Sequence, residues 1–335
     1  MPDLLDAART ARSPDEVAKT LDSYRSHYRE LGASPSGETQ IRNVVDFYDL
    51  VTNFYEYGRG QCFHFAVRRR GDTLQRAIDR HEDWIGVETG MRAGVRALDL
   101  GCGVGGPMRH LARTTGAHVT GVNLNATQVE RARTRAASAG LADRIALAEA
   151  DFSAVPFPDA AFDVVYAIEA TCHAPDLRSV FAEAFRVLKP GGRFVGYEWC
   201  TTAAFDDANA EHSRVARNIQ ESNALPPLRP TEAVDETLRA CGFALREARD
   251  VAADCDPGTP WWRALNGEGG LRALPRAPWG RALAGLLVPA LEWLRLAPPG
   301  ASEVSALLNQ AADAVVAGGR LGIFTPMYRW SAVKP

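Results

Sequence analysis

The segment Leu98-Asp99-Leu100-Gly101-Cys102-Gly103-Val104-Gly105-Gly106 decides the fold of this chain. It links an apolar stretch at 95–100, which predicts a strand, to a helix that Pro107 opens. Its glycines allow a tight turn and let a ligand come close to the backbone. The first N–H groups of the following helix are free to bind a polar group. The segment therefore predicts a cofactor-binding turn between a strand and a helix.

Two cofactor classes fit such a turn, and nearby polar residues discriminate between them. The glycines also match the dinucleotide pattern, but Asp99 would repel a pyrophosphate and suits the cationic methionine part of S-adenosylmethionine. Asn123 lies about 20 residues further on, where a ribose-binding acid is usual, and can still hydrogen-bond a hydroxyl. Asp151 can accept from an adenine amine, and Phe152 can cover the ring. We therefore predict S-adenosylmethionine as the cofactor, held by Asp99, Gly101, Cys102, Gly103, Gly105, Asn123, Leu124, Gln128, Asp151, Phe152 and Glu169.

Strands and helices alternate after this turn. Further strands are predicted at 118–124, 145–150, 162–170 and 192–200. Asn125 and Gln128 cap one helix, and Asp176 caps another, which the Lys-Pro-Gly-Gly segment at 189–192 stops. This alternation predicts an α/β fold with a doubly wound, parallel sheet that opens at a topological switch point.

The two ends of the chain are less regular. A capping box at 13–16 predicts an N-terminal helix that Gly32 ends, and a second helix is predicted from Asp72. Near the C-terminus we expect a helix at 279–296, another from Ser302 to the glycines at 318 and 319, and a final strand at 321–334. The predicted regions are a helical, aromatic-rich substrate segment at 1–90, a cofactor-binding core at 91–204, and a lid region at 205–335 that completes the sheet and pocket.

Composition narrows the possible partners. The 335 residues carry a net charge of −3, so the basic excess typical of nucleic-acid binding is missing. The six cysteines form no Cys-x-x-Cys pair, and we expect no metal site. No signal peptide is evident, and no apolar run reaches the roughly 20 residues that cross a bilayer. We expect a cytoplasmic protein, compatible with homo-oligomer formation, that contacts a membrane surface at most transiently through 279–296.

The motifs resemble those of the sterol side-chain methyltransferases. The resemblance rests on 99–106, 121–125 with Gln128, the Tyr-Ala-Ile-Glu-Ala-Thr-Cys-His-Ala-Pro segment at 166–175, 186–192, the Tyr-Glu-Trp-Cys segment at 197–200 and the Tyr-Glu-Tyr-Gly segment at 55–58. Segments 296–300 and 318–327 resemble the C-terminal part of that family. The likeness covers about residues 41–335, and only the glycine loop is generic to methyltransferases.

The resemblance implies a seven-stranded class I methyltransferase fold with S-adenosylmethionine as cofactor and a sterol or similar small hydrophobic isoprenoid as substrate. It also implies C-methylation: the side-chain alkene attacks the sulfonium methyl, a hydride shift follows, and a base removes a proton. The chain departs from the family pattern at Asn53, where an Asp is usual, and at Arg59, where a Trp is usual.

This chemistry needs a pocket that excludes water and stabilises a cation, to which each ring face contributes roughly 1–2 kcal/mol. Seven aromatic residues between 47 and 65 provide such rings, unless they are ordinary core: Phe47, Tyr48, Phe54, Tyr55, Tyr57, Phe63 and Phe65. The predicted catalytic set contains the candidate bases and their tyrosine neighbours: Tyr55, Glu56, Tyr57, His64, Glu169, His173 and Glu198. Glu169 has the alternatives of capping a helix or holding the cofactor, and His173 of being structural.

Other functions fit parts of the pattern. Asn53 and Arg59 favour a methyltransferase that acts on another isoprenoid or terpenoid. A non-catalytic cofactor-binding protein and a nicotinamide-dependent oxidoreductase are further alternatives, which titration with each cofactor separates.

Overall fold

A computed structural model describes residues 19–24, 26, 37–266, 278–294 and 300–335. The predicted N-terminal helix falls mostly outside these residues, although 19–24 are helical and bury Leu21 and Tyr24. The helices are α1 (Gly37–Arg59), α2 (Leu74–Thr89), α3 (Gly106–Thr115), α4 (Ala126–Ser138), α5 (Leu177–Val187), α6 (Ala210–Ser222), α7 (Thr231–Ala240), α8 (Pro278–Trp293) and α9 (Ala301–Leu321). The strands are β1 (Arg96–Leu100), β2 (His118–Asn123), β3 (Ile145–Glu149), β4 (Phe162–Ile168), β5 (Leu188–Thr201), β6 (Arg229–Pro230), β7 (Ala244–Asp250) and β8 (Phe324–Val333).

The strands form a single mixed sheet in the order β3-β2-β1-β4-β5-β8-β7, and the two-residue β6 pairs with the end of β5. β1 to β5 run parallel, whereas β8 is antiparallel to β5 and β7. This path confirms the predicted seven-stranded, mostly parallel sheet. The strand order reverses between β1 and β4, and ligands bind at the carboxyl ends of the strands at such a point.

Helices cover both faces of the sheet and also span its carboxyl edge. The apolar cluster on one face of the sheet includes Met108 and Ile219. The cluster on the other face includes Phe181 and Trp330. A third cluster joins α1 to α9, with Phe47 and Val51 on α1 packing with Val304 and Leu307 on α9. Because both helices also line the crevice described below, this cluster fixes their positions beside it.

Two predicted boundaries near the middle of the chain are wrong. α2 begins at Leu74, two residues later than predicted, because Thr73 is its N-cap and Asp72 instead pairs with Arg80 at 2.6 Å. The segment at 189–192 belongs to β5, which starts at Leu188 and bulges against β4 before its regular register resumes. The Lys-Pro-Gly-Gly pattern thus marks a bulge inside a strand and not a loop before it.

The predicted boundaries of α9 are also wrong. The helix begins at Ala301, so Ser302 is not its N-cap, and its hydroxyl donates to the Glu292 carboxylate on α8. It continues through Gly319 to Leu321. A Cβ on Gly319 would lie 2.4 Å from Cδ1 of Trp262, so the glycine serves close packing and does not end the helix.

Candidate active site

A cavity of about 360 Å³ opens where the sheet order reverses. Its polar part contains the glycine loop and residues at or just after strand ends: Asp99, Gly101, Asn123, Asp151 and Glu169. Its apolar part is lined by α1, α9 and the segment between α1 and α2: Phe47, Tyr48, Phe54, Tyr55, Phe63, Phe65, Leu308, Ala311 and Val315. The volume is typical of a small-molecule site, and the two parts suit a polar and an apolar ligand side by side.

The glycine loop has the backbone that close approach of a ligand requires. Gly101 and Gly103 have φ values of +82° and +53°, in the left-handed region that favours glycine. A Cβ at Gly101 would lie 2.5 Å from Cβ of Ala170, whereas nothing lies within 4 Å of the corresponding position at Gly103. Gly105 is outside the cavity lining and forms the N-cap of α3. Gly103 therefore offers open backbone, and Gly101 and Gly105 shape the turn.

Asp99 is a buried carboxylate at the cofactor end of the cavity, with 3% of its surface exposed. Burial raises the pKa of its carboxyl group to about 7, and the neighbouring Tyr166 hydroxyl offsets only part of this rise. A cationic group beside it would restore the ionised form. Asp99 thus fits the ammonium group of S-adenosylmethionine.

Asn123 and Gln128 are held in a hydrogen-bond network that reaches α1. The Asn123 amide donates to Oε1 of Gln128 at 2.7 Å, and the Gln128 amide donates to Oγ1 of Thr52 at 2.8 Å. Asn125, the N-cap of α4, donates to Oδ1 of Asp49 at 2.7 Å. The side chains predicted to bind the cofactor are therefore fixed by α1, which lies across their strand ends.

The remaining predicted cofactor residues line the same part of the cavity. They are Cys102, Leu124, Asp151 and Phe152. Asp151 accepts from the Ser153 N–H at 2.8 Å, which fixes the turn that presents Phe152. Burial raises the pKa of the Cys102 thiol well above its ordinary value, so this side chain is a neutral part of the wall.

Glu169 lies where the polar and apolar parts meet, and its backbone is strained. Its φ of +52° is unusual for a residue with a side chain, and such outliers concentrate at functional sites. Its carboxylate accepts from the Phe65 N–H and from the Trp199 indole N–H, both at 2.7 Å. These contacts fix a buried carboxylate in the cavity wall.

His173 also lines the cavity but is a neutral group with both ring nitrogens engaged. Burial lowers its pKa to about 4, and the Ala224 carbonyl offsets this effect only in part. Because a carbonyl only accepts, Nδ1 carries the proton toward Ala224 at 3.1 Å, and Nε2 accepts from the Tyr48 hydroxyl at 3.0 Å. His173 thus positions Tyr48.

His64 lines the cavity and belongs to a buried cluster. Its Nδ1 lies 2.7 Å from the Phe65 carbonyl and its Nε2 lies 3.0 Å from Oε1 of Glu82. Two groups of the described residues lie close enough together to hold a metal ion. One consists of Cys62, His64 and Glu82, and the other of His64, His81 and Glu169. Both ring nitrogens of His64 already have partners, so a metal would have to displace a hydrogen bond.

Two residues of the predicted catalytic set, Glu56 and Glu198, have other positions. Both oxygens of Glu56 pair with α4, at 2.8 Å with Arg131 and also with Arg135. Glu198 accepts from the Thr171 hydroxyl at 2.5 Å and from the Trp199 N–H at 3.0 Å, and burial raises its pKa to about 7. Neither carboxylate lines the cavity. The side chain of Tyr57 lies outside the described part of the structure.

Comparison with known proteins places this site in a family. Residues 98–196 match the methyltransferase domain, and residues 272–335 match the sterol methyltransferase C-terminal domain. The chain is 44% identical to cycloartenol-C-24-methyltransferase of Arabidopsis thaliana over 96% of both chains. It is 40% identical to sterol 24-C-methyltransferase of Saccharomyces cerevisiae over 86% of this chain and 77% of that one. The chain belongs to the sterol 24-C-methyltransferase family.

It is accordingly an S-adenosylmethionine-dependent methyltransferase, so the dinucleotide alternative for its cofactor is excluded. Solved structures share its fold. The [4+2]-cyclase SpnF has a TM-score of 0.66 at 24% identity, covering 90% of this chain and 98% of that one. A geranyl diphosphate C-methyltransferase from Streptomyces coelicolor has a TM-score of 0.63 at 19% identity, covering 88% and 98%.

Sequence reasoning missed several residues of this family member's site. Trp199 was not identified as the partner of Glu169, although it follows Glu198 in the Tyr-Glu-Trp segment. The apolar wall from α9 was also missed, although its apolar residues at 304, 307, 308, 311 and 315 follow helical spacing. The bond between Tyr48 and His173 joins residues 125 positions apart and leaves no local signal.

Proposed function

We propose that this enzyme methylates the side-chain alkene of a sterol and then removes a proton from the resulting cation. The observation that carries the proposal is the two-part cavity, where polar groups around Asp99 adjoin an aromatic and aliphatic wall from α1 and α9. Relatives that match most of the chain are named for methylation of cycloartenol or sterols at carbon 24.

The polar part of the cavity would hold the cofactor. Asp99 would bind the ammonium group, Asn123 a ribose hydroxyl, and Asp151 with Phe152 the adenine. When bound, S-adenosylmethionine supplies an electrophilic methyl group. Gly103 leaves room for close approach, and the bonds from Asn125 and Gln128 to α1 keep this end of the cavity closed to water.

The apolar part would hold the sterol side chain and stabilise the cation that methylation creates. Three aromatic rings of α1 form a connected set. The ring centroid of Phe47 lies 5.4 Å from that of Tyr48 and 6.4 Å from that of Tyr55. Ring faces stabilise a nearby cation by roughly 1–2 kcal/mol each in a desolvated site. Nε2 of His173 accepts from the Tyr48 hydroxyl, so this ring keeps its position in the wall.

Glu169 is the proposed base. It is buried in the cavity wall, and two N–H groups hold it as a carboxylate. The proton passes to a carboxylate oxygen while the electrons of the C–H bond form the new alkene and neutralise the cation. Glu56 and Glu198 are committed to other partners, and His173 has no free lone pair on its ring nitrogens.

We also propose that α8 brings the enzyme to a membrane surface that holds its substrate. Leu287, Leu291, Trp293 and Leu294 are exposed on this helix. α8 is joined to α9, which lines the cavity, by the bond between Glu292 and Ser302. Among the described helices, none is long and apolar enough to span a bilayer.

Incubation of the enzyme with radiolabelled cofactor and a panel of lipids tests the substrate assignment. We expect label in sterols that have a side-chain double bond. Turnover of an acyclic isoprenoid without turnover of any sterol would contradict the proposal. It would instead favour the isoprenoid alternative, which the departure from the family pattern at Asn53 motivates.

A matched pair of variants tests the base. Glu169→Gln removes the acceptor for the proton, so we expect turnover to fall at least about 100-fold, the usual range for loss of a general base. Glu198→Gln should retain most of the activity. Equal losses in the two variants would contradict the assignment of Glu169.

A further inference from the structure

A cluster of four titratable side chains lies buried beside Glu169, and the proposed methylation does not use it. The cluster consists of Cys62, His64, His81 and Glu82. His81 stacks on His64 with centroids 5.2 Å apart and on Tyr197 at 3.6 Å. Core packing alone does not call for such groups, because burying them costs free energy unless they are paired.

The two histidines of the cluster are in different protonation states. Burial opposes a charge on His64, but the Cys62 thiol and the Glu82 carboxylate outweigh it, and the pKa of His64 lies well above its ordinary 6.5. Burial and the charge of His64 hold the pKa of His81 well below that value. The cluster therefore contains a cationic His64 bonded to an anionic Glu82, next to a neutral His81.

His64, Glu82, His110 and Asp83 lie in sequence along a path from the cavity to solvent. A ring nitrogen of His64 lies within 4.8 Å of a carboxylate oxygen of Glu169, and Nε2 of His64 lies 3.0 Å from Oε1 of Glu82. The other oxygen of Glu82 lies 3.9 Å from Nδ1 of His110 on α3. Nε2 of His110 lies 2.7 Å from Oδ1 of Asp83, whose side chain is 52% exposed.

We propose that His64, Glu82, His110 and Asp83 form a relay that carries the proton taken by Glu169 from the closed cavity to solvent. This inference rests on the proposed function, because it requires a proton to be released during each turnover. Glu169 is buried and lines the cavity, so a substrate that fills the cavity would separate its carboxylate from bulk water. A protonated Glu169 cannot serve as base in the next turnover.

The transfers balance without any further reactant. His64 gives its Nε2 proton to Glu82, Glu82 gives a proton to Nδ1 of His110, and His110 gives its Nε2 proton to Asp83 or water. The neutral His64, whose Nδ1–H still donates to the Phe65 carbonyl, then takes the proton from Glu169 on Nε2. His64 and Glu82 thereby regain their starting charges, and the partly exposed His110 regains its starting tautomer by exchanging protons with water. The step from Glu169 to His64, which spans at most 4.8 Å, and the 3.9 Å step from Glu82 to His110 each require a small ring rotation or one intervening water. Asp79 is a third carboxylate beside this ring, with its Oδ1 3.9 Å from Nδ1 of His110.

His110 is the best position for a test because it lies near the surface, with 19% of its side chain exposed, so its replacement leaves the core intact. The experiment compares full-length wild-type enzyme, His110→Gln and the control His118→Gln, which changes an exposed histidine at the start of β2. The first turnover is measured by rapid quench with S-adenosylmethionine and an unsaturated sterol. The steady-state rate is then measured with and without imidazole in the buffer.

We expect His110→Gln to have a normal first turnover and a steady-state kcat lowered at least tenfold, with imidazole restoring most of it and His118→Gln unaffected. A kcat of His110→Gln within twofold of wild type would overturn the relay. So would an equal loss in both phases that imidazole does not restore, since that indicates a structural role. If the wild-type enzyme itself converts no sterol, the proposed function fails and the relay fails with it.

Discussion

At the scale of single residues, Asp99 links the fold to the cofactor. It is the penultimate residue of β1 and lies opposite Gly121 of β2 and Tyr166 of β4, so the sheet itself places it at the point where the strand order reverses. The same burial that positions its carboxylate also makes its ionisation unfavourable. A bound cation reverses that effect, which makes Asp99 a selective partner for a positively charged ligand.

Asp99→Asn should weaken cofactor binding about 10- to 100-fold, which corresponds to roughly 1.5–3 kcal/mol for hydrogen bonds to a charged group. Isothermal titration calorimetry with S-adenosylmethionine measures the change. Asp143→Asn, which alters an exposed acid far from the cavity lining, is the control. Equal affinities of the Asp99 variant and the wild-type enzyme would refute the role of this carboxylate.

The affinity for S-adenosylmethionine should also depend on pH. The pKa of Asp99 is about 7 in the ligand-free protein, above its ordinary 3.8, and the cation binds the ionised form. Affinity should therefore fall as pH decreases below about 7, by at most about tenfold per pH unit. The same raised pKa stabilises the ligand-free fold at low pH, an effect lost as pH rises through 7. Asp99→Asn should flatten the affinity profile, and a slope retained in this variant would point to another group.

At the scale of elements, α1 acts as the cover of the cofactor site. Thr52 and Asp49 contact the N-terminal end of α4, and Glu56 pairs with Arg131 and Arg135 one to two turns further along. α1 and α4 therefore contact each other at several points along their length. These contacts hold α1 against α4 beside the cavity.

Glu56→Ala should loosen α1 without unfolding the core. The ion pairs of Glu56 with Arg131 and Arg135 are partly exposed, so we expect the free energy of local opening of α1 to fall by about 1 kcal/mol. Hydrogen exchange over 37–59 should then be about fivefold faster. Mass spectrometry of peptides from α1 and from β4 measures the change, and β4 should be unaffected. Glu130→Ala, which removes an exposed pair with Arg133, is the control. Unchanged exchange in α1 would contradict this role.

α9 provides a second prediction at this scale. Gly319→Ala places a methyl group against Trp262. Because the cost of overpacking should outweigh the gain in helix propensity, we expect the free energy of unfolding to fall by about 1–2 kcal/mol. Gly285→Ala on α8 is the matched control. Among the described residues, no atom lies within 4 Å of its Cβ position, so only the gain in helix propensity applies. Denaturant unfolding measures both, and stabilisation by Gly319→Ala would show that the packing is looser than described.

At the scale of the whole molecule, the substrate cavity and the exposed apolar helix belong to neighbouring elements. α8 and α9 are adjacent in the chain and joined at Ser302, so a membrane-bound α8 would keep the wall formed by α9 near the lipid surface. A sterol would then have a short path from bilayer to cavity.

Replacing Leu287 and Trp293 together with serine should reduce binding to sterol-containing vesicles at least fivefold, because both side chains lose apolar area that would be buried in the interface. Vesicle co-sedimentation measures binding. Val87→Ser, which removes an exposed apolar side chain from α2, should bind as the wild type does. Equal binding of all three proteins would exclude α8 as the contact.

The whole-molecule view also shows what sequence can predict. Strand order and the positions of Asp99, Asn123 and Glu169 follow from local patterns, since the ends of parallel strands meet at one edge. The partners of Glu56 and His173 do not, because they depend on how α1 crosses that edge, which no local spacing encodes. The glycines of α9 mislead for the same reason: their neighbours are far away in sequence.

The central claim, methyl transfer to a side-chain alkene, is tested most directly with two sterols that differ only in that double bond. Each is incubated with methyl-labelled S-adenosylmethionine and the wild-type enzyme, and the product is located by mass spectrometry. We predict label on the side chain of the unsaturated sterol and none in the saturated one. Labelling of both sterols to the same extent would show methylation of another position and contradict the proposed function.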